Sequence, residues 1–443
     1  MDTTKPVIVI GAGPIGIAAA AHLHARGIEP TVLEKGNSVG HSMLEWGHVN
    51  VFTSWKNVVD KAVIALLKNA NWQMPDEDSL PTGREIVEQY LKPAATITEL
   101  KNAIIYNAEV VGVSKQAHSK SSSTARDEVN FTVHYKTPDG AHHVLHSEAV
   151  IDASGTWYTP NPIGLDGLPV PGESQNQEVI TYGIPDVTNV DRAEYEGKRT
   201  LVLGGGHSAI NVILEMMTLR AANSDTKIYW GMRTNKLDKL TGSGINNRLP
   251  ARAKLGMAAK EAIKADELKV LVPLQVSSIE KNNTGLLLDT LVDGEERTLE
   301  VDRIVVANGF RPDLNILREI RLDIDEIVEA PTKLAPLIDP NIHSCGSVKP
   351  HGVGELSHFD KDFYVVGIKS YGRAPTFLML TGYEQVRSIA AELAGDHDSA
   401  LNVELILPSP KAAEKDREIP KLVSACGACC PTLAERQAAS CCG

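Results

Sequence analysis

The sequence predicts an α/β protein in which one three-layer domain is inserted into another domain of similar design. Two stretches, 5–35 and 198–233, carry this prediction, because each combines an apolar strand, a glycine-rich turn, a helix and a second strand. Since the pattern recurs after about 190 residues, we expect two Rossmann-like, dinucleotide-binding domains. A third observation is the clustering of cysteines near residue 443, which predicts a flexible C-terminal tail.

The first stretch opens with an apolar, β-branched run at 7–10, as expected for a strand that is buried on both faces. Gly11, Gly13 and Gly16 follow at GxGxxG spacing. The first glycine allows a tight turn, the second lets the backbone approach a pyrophosphate, and the third lets helix and strand pack closely. The helix N-terminus offers free N–H groups to phosphates. Glu34, at the end of the second strand, can accept hydrogen bonds from a ribose.

The second stretch has Gly204 and Gly206, then Ala209 where a third glycine could stand. Its second strand ends at Trp230 without an acidic residue, and Arg233 follows. An acid there would repel a 2′-phosphate, whereas arginine can pair with it through two hydrogen bonds. The pattern therefore favours NADPH over NADH, and two dinucleotide sites indicate one cofactor that stays bound and one that exchanges.

Charge and hydropathy exclude several classes of partner. The net charge of −12 and the pI near 5.6 disfavour nucleic acid or an anionic membrane surface. No apolar run approaches the ~20 residues that span a bilayer, and MDTTKP leads directly into the first strand. We therefore expect a cytoplasmic protein with a small-molecule or metalloid substrate, and leave open whether it is a homodimer.

Cysteines are confined to residues 345–442, and most of them lie near the end of the sequence. Residues 1–344 contain none, Cys345 stands alone, and the other five lie in CGACC and SCCG. Thiolates select soft metals and metalloids, so these five are the candidate metal ligands. They are Cys426, Cys429, Cys430, Cys441 and Cys442. A disordered tail with incidental cysteines, a zinc knuckle, and thiol delivery or redox chemistry all remain open.

Four motifs resemble those of flavoproteins with two dinucleotide-binding domains, a group that includes thioredoxin reductase-like enzymes and flavin-containing monooxygenases. They are GAGPIG at 11–16, VIDASGTW at 150–157, LGGGHSA at 203–209 and VVANGFRPD at 305–313. The resemblance implies FAD and NADPH as cofactors. It also implies an FAD-binding domain at 1–165 and 334–405, an inserted NADPH-binding domain at 166–333, and a linker and tail at 406–443.

The resemblance also implies a set of cofactor contacts in the motifs and in the loop after the second strand. Ser154 and Asn308 replace the usual threonine, and Ile368 replaces the aspartate that usually holds the ribityl chain. The candidate cofactor-binding residues are Gly11, Gly13, Pro14, Ile15, Gly16, Glu34, Lys35, His41, Ser42, Trp46, Val110, Ser154, Gly155, Gly204, Gly206, His207, Ser208, Ala209, Arg233, Asn308, Gly309, Gly367 and Tyr371. No catalytic residue is predicted.

Departures from the family pattern bear on the reaction. The chain lacks the cysteine pairs of the related reductases, and Ile15 stands where bacillithiol disulfide reductase-like proteins have cysteine. Residues 49–60 and GIKSYGRAPTF are similar to a monooxygenase-like group encoded in arsenic-resistance operons. We therefore expect a flavin monooxygenase acting on an arsenical or a related small substrate. The alternatives are a reductase of a disulfide or thiol-bound metal, and a non-enzymatic metal-binding protein.

Two local predictions concern the first domain. Thr82 and Glu85 have the spacing of a capping box, which predicts a helix start. The polar stretch at 115–128 is predicted to be a flexible hairpin tip without a specific role.

Overall fold

The computed structural model describes residues 6–234, 260–265, 268–342, 349–375 and 377–405. The chain divides into two units, 1–406 and 407–443, and all of the described residues belong to the first. Cys345 and the five candidate metal ligands lie outside the described residues. No helix of the described ranges is long and apolar enough to cross a membrane.

Strands and helices alternate around the two glycine turns, at 7–33 and 199–231, and elsewhere they form runs of one kind. The strands are β1 Val7–Ile10, β2 Pro30–Leu33, β3 Ile104–Ile105, β4 Glu109–Lys115, β5 Phe131–Lys136, β6 His142–Ser147, β7 Val150–Asp152, β8 Ile180–Tyr182, β9 Arg199–Leu203, β10 Lys227–Gly231, β11 Lys269–Leu271, β12 Leu274–Asn282, β13 Gly285–Val292, β14 Glu295–Val301, β15 Arg303–Val306 and β16 Phe363–Val365. The helices are α1 Pro14–His24, α2 His41–Glu45, α3 Lys61–Asn69, α4 Gly83–Ile86, α5 Lys92–Thr96, α6 Thr98–Lys101, α7 Arg192–Tyr195, α8 His207–Ala222, α9 Ala335–Ile338, α10 Val353–Leu356, α11 Met379–Leu393 and α12 His397–Leu401.

The first domain is built on a parallel sheet with strand order β16-β7-β1-β2-β3 in the described residues. Successive residues of β1 point to opposite faces, as in any strand. Val7 and Val9 pack in the same cluster as residues of α1 and α11, whereas Ile8 and Ile10 pack with the antiparallel sheet β4-β5-β6. Helices, parallel sheet and antiparallel sheet therefore form three layers.

The second domain repeats this design on a parallel sheet ordered β11-β10-β9-β15-β8. Val202 of β9 packs with the apolar residues of α8. Its neighbours Leu201 and Leu203 pack with the antiparallel sheet β12-β13-β14. The predicted fold class, with two Rossmann-like three-layer domains, is confirmed.

The second domain lies between two strands of the first. Strands β8 to β15 span 180–306, whereas the paired strands β7 and β16 of the first sheet lie at 150–152 and 363–365. The first sheet is therefore completed by a strand that follows the second domain. The domain boundaries given above stay a prediction.

The two local predictions have opposite outcomes. The capping box is confirmed, since the Thr82 hydroxyl accepts from the Glu85 N–H at 3.1 Å and the Glu85 carboxylate accepts from the Thr82 N–H at 2.7 Å. The prediction of a flexible tip without a specific role is wrong. Arg126 is buried and donates two hydrogen bonds to Asp360, at 2.6 and 2.7 Å. A buried guanidinium requires such a partner, and this one lies far away in the sequence.

Candidate functional site

The turn between β1 and α1 shows why each of its glycines is needed. Gly11 has a φ of +95°, and a Cβ on it would lie 2.9 Å from the Ala153 carbonyl oxygen. A Cβ on Gly16 would overlap the Gly11 carbonyl oxygen, so α1 packs directly on the turn. Among the described residues, no atom lies within 4 Å of a Cβ placed on Gly13. The space over the helix N-terminus is therefore open, and it fits the pyrophosphate of a dinucleotide.

Glu34 is held beside this turn by backbone groups. It is 9% exposed, and its two oxygens accept hydrogen bonds from the Ala12 and Gly36 N–H groups, both at 2.7 Å. A carboxylate has further lone pairs, which remain for ribose hydroxyls. Burial and the Glu34 charge raise the pKa of Tyr106. Lys35, by contrast, is exposed and pairs with Glu109 at 2.7 Å.

Other candidates occupy element ends or the core. Ile15 lies against Gly367, where a Cβ would lie 3.2 Å from its side chain. Val110 and Tyr371 are buried, so their side chains offer almost no surface to a cofactor. The remaining candidates stand where helices begin or just after strands: Pro14 opens α1, His41 and Ser42 open α2, His207 and Ser208 open α8, Ser154 and Gly155 follow β7, and Asn308 and Gly309 follow β15.

The turn between β9 and α8 repeats the first turn. Gly204 has a φ of +145°, and a Cβ on it would lie 2.5 Å from the Ala307 carbonyl oxygen and 3.3 Å from the Ala209 Cβ. In the described part of the chain, nothing lies within 4 Å of a Cβ on Gly206. Arg233 is exposed just beyond the end of β10. A second pyrophosphate fits here for the same reasons.

A buried ion pair beside the first turn was missed by the sequence analysis. Lys369, in the turn Gly367–Tyr371, and Asp152, the last residue of β7, are 1% and 0% exposed, and their side chains are 2.7 Å apart. The Lys369 ammonium also donates to the Ser154 hydroxyl oxygen at 3.0 Å. The available signal was a charged residue directly after an apolar run in each of two segments, VID at 150–152 and FYVVGIK at 363–369.

An aromatic cluster lies where the two domains meet. The ring centroids of Trp157 and Phe310 are 4.7 Å apart, and those of Trp46 and Trp157 are 6.3 Å apart. Glu45 accepts hydrogen bonds from Trp157 Nε1 at 2.6 Å and from the Tyr158 hydroxyl at 2.7 Å. Burial and this carboxylate raise the pKa of Tyr158. The cluster borders a cavity of about 130 Å³ lined by Trp46, Trp157, Gly183, Ile184, Ser208, Ala307, Gly309 and Phe310.

Two Rossmann-like domains, each with a glycine turn open to a pyrophosphate, define a protein that binds two dinucleotides. The chain belongs to the family described as pyridine nucleotide-disulphide oxidoreductase, whose model matches residues 8–344.

Curated relatives include enzymes with different acceptors. A bifunctional thioredoxin reductase/thioredoxin of Mycobacterium leprae is 26% identical over 73% of this chain, which covers only 55% of that protein. A ferredoxin–NADP reductase of Symbiobacterium thermophilum is 24% identical over 72% of this chain and 77% of its own. A flavin-containing monooxygenase of Aspergillus flavus is 26% identical over 48% of this chain and 50% of its own.

Solved structures share the fold at low identity. Bacillithiol disulfide reductase from Bacillus cereus matches with a TM-score of 0.64 and 19% identity, over 89% of this chain and 99% of its own. The cadaverine monooxygenase DfoA of Erwinia amylovora, bound to FAD, matches with a TM-score of 0.61 and 14% identity, over 96% of this chain and 100% of its own.

The protein is an oxidoreductase with FAD and NADP(H) as cofactors. The predicted enzyme class and cofactors are therefore confirmed, and the alternative of a non-enzymatic metal-binding protein is set aside. The cofactor contacts of individual residues stay predictions.

Proposed function

We propose that the protein is an NADPH-dependent flavin monooxygenase that oxygenates a small thiophilic substrate, with trivalent arsenicals as the first substrates to test. The observation that carries this proposal is the absence of cysteine from residues 1–344 and 346–425. A flavin that reduces a disulfide through the protein needs a nearby thiol pair, and neither dinucleotide-binding motif region supplies one. Oxygen is an acceptor that needs no such pair.

The aromatic cavity supports oxygen chemistry. Trp46, Trp157 and Phe310 give it apolar walls beside the second glycine turn. Such walls exclude water, which protects reactive oxygen species from hydrolysis and release. Bound FAD would take hydride from NADPH and pass the electrons to O₂. For arsenite, one oxygen atom converts As(OH)₃ to H₃AsO₄ and the other leaves as water, while NADPH and one proton are consumed.

The cysteines at the end of the sequence support a thiophilic substrate. Two adjacent pairs, Cys429–Cys430 and Cys441–Cys442, supply soft thiolates of the kind that trivalent arsenic binds. Tethering a captured substrate to the enzyme raises its effective concentration without changing the chemical step.

The same cysteines favour one second candidate, an NADPH-dependent reductase of a disulfide or thiol-bound metalloid. The similarity to thioredoxin reductase and bacillithiol disulfide reductase also supports it. In this alternative the cysteines of the tail would accept electrons from the flavin.

Isotope labelling separates the two candidates. Holoenzyme is supplied with NADPH, ¹⁸O₂ and arsenite or methylarsenite, and the product is analysed by mass spectrometry. A monooxygenase places one ¹⁸O atom in each molecule of pentavalent product and oxidises one NADPH for each product molecule formed. Pentavalent product without ¹⁸O, or NADPH consumption coupled only to disulfide reduction under anaerobic conditions, would overturn the proposal.

Truncation after Pro410 tests the role of the tail. The shortened enzyme should keep FAD and oxidise NADPH as before, while binding trivalent arsenic more weakly and turning over more slowly at low substrate only. Cys441→Ser with Cys442→Ser should reproduce most of this loss. Equal activity of truncated and full-length enzyme at every arsenical concentration would exclude substrate capture.

A further inference from the structure

We propose that the Ser154 hydroxyl accepts a hydrogen bond from a hydroxyl group of bound FAD, and that Asp152 and Lys369 are the positioning residues that orient it. This inference depends on FAD as the cofactor and is independent of the proposed oxygen chemistry.

Ser154 lies where the first dinucleotide reaches the protein. It is exposed and stands two residues beyond the end of β7. Its Cα lies 3.1 Å from the position of a Cβ on Gly11, so the two turns are in contact. The Ala153 N–H donates to the Ile10 carbonyl at 2.9 Å and fixes this approach. Carboxyl ends of parallel strands are the usual place for dinucleotides in such sheets.

The hydrogen bonds around Ser154 settle the direction of its proton. Its Oγ lies 2.6 Å from Asp152 Oδ1, and its own N–H donates to the same oxygen at 3.0 Å. Lys369 Nζ, which can only donate, lies 3.0 Å from the same Oγ. The hydroxyl proton therefore points to the carboxylate, and one lone pair of the oxygen takes the lysine proton.

The remaining lone pair of Ser154 is an acceptor on an exposed residue. Phosphate oxygens are acceptors too, so they are poor partners for it. A hydroxyl group is a good partner because it can donate. The ligand group is therefore a hydroxyl of the ribityl chain or of the adenosine ribose, rather than the pyrophosphate. The neighbouring side chain of Ile368, which lies 3.9 Å from a Cβ on Gly155, has no acceptor to offer.

The ion pair is poorly explained as a stabilising feature. Asp152 and Lys369 are almost fully buried, and a buried ion pair is often no more stable than two well-packed apolar side chains. Val150, Ile151 and Ile368 are apolar neighbours of the pair in the sequence. Orienting Ser154 gives the pair a use that an apolar pair would not have.

FAD binding to the apoprotein tests this inference without reference to turnover. Dissociation constants are measured by fluorescence titration for wild type, Ser154→Ala, and the double variant Asp152→Leu with Lys369→Met. Ser224→Ala, at an exposed serine of the second domain, is the control. The ligands are FAD, analogues lacking one ribityl hydroxyl each, and an analogue with 2′-deoxyadenosine.

Ser154→Ala should weaken FAD by about 3- to 10-fold, the usual effect of one hydrogen bond, and the control should not. One analogue should bind wild type and Ser154→Ala equally well, and its missing hydroxyl identifies the partner as ribityl or ribose. The double variant should keep its Tm and lose FAD affinity like Ser154→Ala. Unchanged FAD affinity in Ser154→Ala, or in a folded double variant, would overturn the inference. Ser154→Ala and the analogues decide alone if the double variant does not fold.

Discussion

The two glycine turns share a backbone and differ in chemistry. In both, the first glycine has a positive φ and lies against a carbonyl oxygen after another strand, Ala153 for Gly11 and Ala307 for Gly204. The third position differs, with Gly16 in one turn and Ala209 in the other. The residues after the second strand differ as well. Glu34 follows β2 in the first domain, and Arg233 follows β10 in the second. Backbone packing therefore builds the turn, and we expect Glu34 and Arg233 to select the dinucleotide.

The largest difference should appear at the third position of the two turns. Gly16→Ala places a Cβ on the Gly11 carbonyl oxygen, so it should cost about 3 kcal/mol or more of unfolding free energy. The matched change Ala209→Gly should cost about 1 kcal/mol, the usual penalty of glycine in a helix. Tm and flavin content measure both effects. A Gly16→Ala protein with the wild-type Tm would show that the two turns are packed alike.

Substitutions at the second glycine of each turn, Gly13 and Gly206, should affect the binding of different cofactors. A Cβ at Gly13 or Gly206 has no described protein atom within 4 Å, so we expect both valine variants to fold. Gly13→Val should weaken FAD by about tenfold or more, because the side chain fills the pyrophosphate space. Gly206→Val should leave the flavin content unchanged and raise the KM for NADPH by a similar factor. Full flavin occupancy in Gly13→Val would contradict the assignment of FAD to the turn between β1 and α1.

The positive charge of Arg233, after β10, should set the preference for NADPH over NADH. Arg233→Ala should raise the KM for NADPH by the equivalent of about 1–3 kcal/mol and barely change the KM for NADH, because only the 2′-phosphate contact is lost. Lys227→Ala, at the exposed start of β10, is the control. Equal weakening of both cofactors would contradict the phosphate role of Arg233, and Lys236, outside the described residues, would then be tested.

The smallest predicted effect concerns the pH dependence of stability and arises from Glu215 in helix α8 of the second domain. Burial, with a smaller contribution from Asp186, raises the pKa of Glu215 in α8 from 4.5 to about 7, and its Oε2 has no hydrogen-bond partner in the described structure. The folded protein therefore holds this proton more tightly, and stability falls as pH rises from about 4.5 to 7. Since the group is partly exposed, Glu215→Gln should gain about 1 kcal/mol at pH 8 and nothing at pH 4. Denaturant unfolding at both pH values measures this, and an equal gain at both would contradict it.

Short-range patterns were enough to predict the parts of the site that depend on local backbone geometry. The spacing of Gly11, Gly13 and Gly16 predicts turn and helix because both form within a few residues of one another. The contacts that join distant segments left no such pattern. Asp152 meets Lys369, and Arg126 meets Asp360, across more than 200 residues.

The aromatic cluster was predicted only in part for the same reason. Trp46 was a candidate cofactor contact because of the loop in which it lies. Trp157 and Phe310 lie in the motifs at 150–157 and 305–313, from which only the neighbouring small polar residues and glycines were predicted to contact a cofactor. Their meeting depends on how the second domain docks on the first. A single sequence, taken by itself, carries no signal for that arrangement.

The place of β16 in the first sheet has a consequence for synthesis on the ribosome. Its partner β7 is complete at residue 152, but β16 begins only at residue 363, after the strands of the second domain. At about 5–20 residues per second, the intervening chain takes about 10–40 s to make. During that time the outer edge of β7 lacks its native neighbour, and unpaired strand edges invite association with other chains. We therefore expect the nascent first domain to be most prone to association before β16 is synthesised.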